Sequence, residues 1–99
     1  MQYEIRTYTL ADQTATKQYF EVNWSRHIES LKKFQIEVES VFLALENCQV
    51  IAICTYPDEV DVLAADKAYM ESEEFRSDMK GFSMQAIINV TSAIVKKLK

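Results

Sequence analysis

The chain has 99 residues, enough for one hydrophobic core and too few for two. Its net charge of -4 and pI of about 4.9 leave no basic surface, which argues against nucleic acid and against an anionic membrane as partners. Apolar residues make up 48% and charged residues 26%, ordinary for a soluble globular domain, and no apolar run approaches the ~18 residues of a membrane span.

Glu4 and Arg6 interrupt the opening segment too early for a signal peptide, so the expected compartment is the cytoplasm. Cys48 and Cys54 have no second cysteine pair, and His27 is the one histidine. Zinc spacing is therefore absent, and two reduced thiols are expected. Gly81 and Pro57 are the only residues of their kinds, which predicts short connections between elements. With no linker or repeat, residues 1–99 read as a single domain.

Residues 2–10 alternate and are rich in Tyr, Thr and Ile, which predicts a strand. Asp12 suits a helix N-cap. From about 13 to 34 the period becomes helical, with Phe20, Trp24, His27, Leu31 and Phe34 on one apolar arc. Two strands follow, at about 36–45 and 49–56, joined through Glu46, Asn47 and Cys48. Pro57 ends the second, and Asp58 is placed to cap the next helix. That helix carries a weaker stripe of Val60, Leu63, Ala64, Lys67, Ala68 and Met70. A short helical turn closes at Gly81, and the last strand spans about 87–97. The order β-α-β-β-α-β predicts an α+β, ferredoxin-like split-βαβ fold, with a four-stranded antiparallel sheet and the helices on one face.

In such a fold a monomer keeps one sheet face polar. Here both faces carry apolar residues: Ile51 and Ile53 against Val50, Ala52 and Cys54, and Phe42 and Ala44 against Val41, Leu43 and Leu45. A bare sheet plane of roughly 300 Å² matches the largest apolar patch usual on a monomer. This predicts a homodimer through the sheet face. The even positions of the first strand, Glu4, Arg6 and Tyr8, are assigned to that face. Glu4 and Arg6 either form a cross-strand ion pair, or line a pocket in which Arg6 holds an anionic ligand and Tyr8 shapes the wall.

The segments "YEIRTYTL", "HIESLKKFQIEVESVF" and "EEFRSDMKGFSM" resemble the NIPSNAP family, within the dimeric α/β-barrel superfamily, over nearly the whole chain. The opening Tyr3, Glu4, Arg6, Thr7 and Tyr8 are the most specific part. The chain departs from that pattern at Ala11–Asp12, where Pro-Gly is usual, at Gln35 and Ser40, where glycines are usual, and at Phe42, where tryptophan is usual. The resemblance implies a ferredoxin-like protomer and a barrel between two subunits. It implies little chemistry, because family members mostly lack an assigned activity. Relatives elsewhere in the superfamily include cofactor-independent monooxygenases, small-molecule isomerases and haem-binding or haem-degrading proteins.

His27 is the best single candidate for chemistry. It sits mid-arc beside Trp24, with Asn23 one turn earlier, and together they form a polar notch facing the sheet. The competing reading is a core histidine satisfied by Asn23 or a strand carbonyl. A lone axial histidine beside Trp24 suits haem, but nothing else specifies a porphyrin, so no cofactor is expected. No metal is expected either. No serine sits in a nucleophile elbow, and no glycine loop exists for phosphates. "DEVD" at 58–61 reads as a helix start, and Met70, Met79 and Met84 as gap filling.

Two function classes remain. One is a NIPSNAP-like protein without assigned activity that binds a small metabolite or a partner protein through Asn23, Trp24, His27, Arg6 and Tyr8. The other is a cofactor-independent monooxygenase or isomerase using His27 or Tyr8.

Overall fold

The computed structural model describes Met1–Lys99. Strand β1, Gln2–Leu10, leads through the N-cap Asp12, whose side chain accepts from the Ala15 amide. One continuous helical run follows. It comprises α1 (Gln13–Gln18), a π-helical segment (Tyr19–Asn23), α2 (Trp24–Leu31) and a closing 3₁₀ turn (Lys32–Phe34). Strands β2 (Glu37–Leu43) and β3 (Gln49–Tyr56) come next, then α3 (Val62–Met70), α4 (Glu73–Asp78) and β4 (Ile87–Val95). The sheet order is β2-β3-β1-β4, antiparallel throughout, which is the ferredoxin-like arrangement the sequence predicts.

The π segment changes which residues face inward. The Trp24 amide bonds to the Tyr19 carbonyl, five residues back, so one extra residue is accommodated in that turn. Tyr19 and Asn23 become buried, while Phe20, expected at the start of the stripe, is only half-buried and faces a groove against β2. A strict 3.6-residue period cannot anticipate this shift.

The helical run ends in a Schellman motif. The Ile36 amide bonds to the Leu31 carbonyl at 3.2 Å, and the Gln35 amide to the Lys32 carbonyl at 3.3 Å. Gln35 takes the left-handed position, φ 63° and ψ 27°, where glycine is usual. Leu31 and Ile36, both fully buried, make the hydrophobic pair that accompanies such a stop.

Two readings of α3 need correction. Its cap is Asp61, which accepts from the Ala64 amide at 3.1 Å; Asp58 lies before the helix and pairs with the Met1 amino group. The expected stripe also faces outward, since Leu63 and Met70 are exposed while Val62 and Tyr69 are buried. Alanine surrounds this helix, so apolarity marks no single side. The inward face is set instead by the polar partners that Asp66 and Tyr69 find.

The faces of β1 are also opposite to the expectation. Glu4, Arg6, Tyr8 and Leu10 point toward the helices, and Tyr3, Ile5, Thr7 and Thr9 point to the open side. Strand alternation says which residues share a face, never which face the helices cover. Here Arg6 reaches Asp66 of α3, which places it under the helix layer. On the open side Phe42 and Val95 are exposed, with Ile5, Ile51 and Ile53 half-buried. No helix is long and apolar enough to cross a membrane.

Candidate functional site

Between the helix layer and the β1–β4 half of the sheet lies a cavity of about 450 Å³. Its floor is Arg6 and Tyr8 from β1 with Ile87 and Val90 from β4. Its roof is Tyr19 and His27 from the helical run, Tyr69 and Met70 from α3, Phe75 from α4, and Met84. The cavity exists because α3 and α4 are short and leave β4 largely uncovered. Val90 and Ile94 are on the helix side of the sheet yet remain exposed.

Two polar clusters frame it. In the first, the Arg6 guanidinium donates from Nε to Glu4 at 2.8 Å, and through a terminal nitrogen to Tyr56 at 2.9 Å and Asp66 at 2.6 Å. Its other terminal nitrogen makes a longer contact, 3.4 Å, with the Tyr8 hydroxyl. Ser92 donates to Glu4 from β4. The Tyr56 oxygen lies 2.6 Å from Glu4 and 2.5 Å from Asp66, but carries one proton. Burial pushes the Asp66 carboxyl up to about 6 against the pull of Arg6. Burial also opposes ionisation of Glu4, but Arg6 with the bonds from Ser92 and Tyr56 outweighs it and holds Glu4 below the usual carboxylate value. Of the two acids, Asp66 is therefore the one that takes up a proton first on acidification, and both are carboxylates at neutral pH.

In the second cluster Asp78 accepts from the Tyr69 hydroxyl at 2.5 Å and from Ser30 at 3.0 Å. Tyr69 also contacts His27 Nδ1. The hydroxyl has a single proton and the Asp78 carboxylate can only accept, so Tyr69 donates to Asp78 and accepts from Nδ1–H. That assignment leaves His27 Nε2 as the unprotonated nitrogen, since the hydrogen bond His27 makes within the chain is through Nδ1. Burial lowers the imidazole to about 4, with the nearby Asp78 carboxylate opposing the shift, so the ring is neutral at pH 7. Phe75 stacks on it at 6.0 Å and 7° between planes, and Trp24 meets it edge-on at 5.0 Å.

Arg6, Tyr8 and His27 thus line one cavity, although the sequence assigned Arg6 and Tyr8 to the opposite face. Trp24 lies behind the wall, packed edge-to-face on Tyr8 at 5.8 Å. Asn23 faces away from the cavity: its amide donates to the Asp78 carbonyl at 3.0 Å, and its Oδ1, like Trp24 Nε1, is buried without a partner. The core reading of His27 named Asn23 or a strand carbonyl as its partner; Tyr69, backed by Asp78, takes that place. Sequence reasoning missed Tyr69, Asp78, Tyr56 and Asp66. The one available signal was the lone aromatic in "LAADKAYMES". No three His, Cys, Asp or Glu side chains converge to hold a metal ion.

Fold and site together define a ferredoxin-like α+β domain with a mostly apolar cavity under its helices. Neither a family model nor a curated protein matches the sequence. Solved structures with this fold include NIPSNAP family proteins. One from Agrobacterium tumefaciens, described as of unknown function, is 23% identical with a TM-score of 0.77 and covers 98% of this chain and 87% of its own. A NIPSNAP domain protein from Burkholderia xenovorans is 10% identical with a TM-score of 0.73, covering 98% and 94%. An antibiotic biosynthesis monooxygenase is 13% identical with a TM-score of 0.66 and covers the whole of both chains. The likeness at these identities is one of fold, and it establishes no specific activity.

Proposed function

We propose that this chain is a NIPSNAP-like homodimer that binds a small, largely apolar molecule in the cavity between Arg6 and His27. The observation that carries the reading is the cavity itself. Its 450 Å³ falls within the range of roughly 300–1,000 Å³ usual for ligand sites, and eight of its ten lining residues are hydrophobic. Polar groups are few and held in place, as expected where orientation and not bulk affinity is being set. The dimer is supported by Phe42, Ile5, Ile51, Ile53 and Val95 on the open sheet face, which no element of the same chain covers. The test is amide NMR with a set of neutral bicyclic compounds. Shifts should cluster at Tyr8, Tyr19, Tyr69 and Val90; shifts confined to the open sheet face, or none at millimolar concentration, count against the reading.

A second reading, a cofactor-independent monooxygenase or isomerase, is supported by the bare Nε2 at the cavity and by the fold of the monooxygenase neighbour. A base lowered to about 4 is poorly matched to abstracting protons at neutral pH, where catalytic groups sit nearer 7. Binding is therefore the better supported role.

A further inference from the structure

We infer that the cavity selects a neutral, hydroxylated, otherwise apolar molecule, whose hydroxyl donates to His27 Nε2 and whose carbon body stays on the apolar side. This rests on the binding reading above and adds the ligand's chemical class. Three observations converge on it. First, the Asp78–Tyr69–His27 chain fixes the tautomer, because Nδ1–H is committed to Tyr69. Nε2 is then an acceptor and never a donor, so its partner must bring a proton. Second, His27 lines the cavity and its second ring nitrogen has no hydrogen-bond partner within the chain, so a ligand hydroxyl there would find an unoccupied acceptor. Third, the cavity does not favour an anion. Arg6 is the only cation in its lining, and its strong bonds already go to Glu4, Asp66 and Tyr56. Around His27 and the floor, the carboxylates of Glu4, Asp66 and Asp78 face the guanidinium groups of Arg6 and Arg26, and Arg26 is itself spent on the carbonyls of Asp78 and Lys80. A carboxylate ligand would meet acceptors without a free cation; a neutral hydroxyl meets an acceptor it can use.

The test compares naphthalene, 2-naphthol and 2-naphthoate on the intact protein at pH 7.5, by calorimetry and by ¹⁵N NMR of the single labelled histidine. The naphthol should bind about tenfold more tightly than naphthalene, the size of one good hydrogen bond, and the naphthoate should bind most weakly. Free protein should show a protonated Nδ1 and a bare Nε2, and the naphthol alone should shift the Nε2 resonance. His27→Phe should keep naphthalene binding and abolish the naphthol preference. Should that variant not fold, Tyr69→Phe serves in its place: it frees Nδ1, and a mixed tautomer with a reduced preference is expected. Equal affinity for naphthol and naphthalene overturns the hydroxyl assignment while leaving small-molecule binding intact. Tightest binding of naphthoate overturns it in favour of an Arg6-directed anion. An Nε2-protonated ring in the free protein overturns it as well. If none of the three binds, the small-molecule reading fails and this inference with it.

Discussion

Tyr69 stands between His27 and Asp78, giving its one proton to Asp78 Oδ2 at 2.5 Å and accepting from His27 Nδ1. His27 and Asp78 themselves are 3.4 Å apart, so the tyrosine oxygen holds the ring in place without a direct ion pair. α2, α3 and α4 each supply one member. The cluster therefore ties the helix layer together, and it commits one imidazole nitrogen of a ring that also lines the cavity.

This arrangement gives a pH prediction with two opposing parts. His27 is lowered to about 4, so the unfolded chain binds its proton first, near 6.5. Its contribution to stability is fully present above 6.5 and falls as pH drops toward 4, by about 3 kcal/mol in all. Asp66 is raised to about 6, so the folded chain binds that proton first. Its contribution is present below about 4 and is lost as pH rises toward 6. The two trends therefore oppose one another in the wild type between pH 4 and 6.5. His27→Phe should gain stability on acidification across that window, and Asp66→Asn should lose it. Urea unfolding at four pH values decides; parallel curves for all three proteins would show that neither group is held as described.

Arg6→Ala should cost about 3–5 kcal/mol, because it leaves Glu4 and Asp66 buried side by side with no cation. Adding Glu4→Gln and Asp66→Asn should recover a large part of the loss. The cluster lies under the helices and not on the open face, so subunit association should not change. Denaturant midpoints combined with light scattering test both halves, and a shift below about 0.5 kcal/mol would place the pair in solvent.

Gln35→Gly should stabilise the fold by about 0.5–1 kcal/mol, since a side chain at φ 63° is strained and this one is exposed. Gln35→Val should destabilise it by a similar amount or more, because a β-branched residue tolerates that region poorly. Thermal unfolding of the pair measures this, and no difference between Gly and Val would remove the strain argument.

The open sheet face predicts a particle of about twice 11.5 kDa by light scattering at micromolar concentration. Phe42, exposed beside Ile51 on that face, is the residue to change. Phe42→Lys should yield a folded monomer with an unaltered cavity. A wild-type monomer at that concentration rules out the dimer.

Much of the architecture was already decided by local chemistry. Alternation set β1 at 2–10, Asp12 capped the first helix, and Gly81 closed the turn after α4 with a φ of 87°. These features rest on neighbours a few residues away, so a linear reading reaches them. Apolar spacing likewise put Trp24, His27 and Leu31 inside, because a 3.6-residue period holds through α2. The tertiary structure decided what depends on partners distant in the chain. Glu4 and Arg6 share a face by their spacing, yet that this is the helix side is seen only from contacts such as that of Arg6 with Asp66 of α3, sixty residues later. Tyr19 enters the cavity because a π turn absorbs one residue, and nothing in the local sequence requires that turn. The partner of His27 lies 42 residues away on a helix whose alanines mark no inward side. Hydrophobic period is a property of one segment, whereas the covered face, the tautomer and the cavity arise only when segments pack.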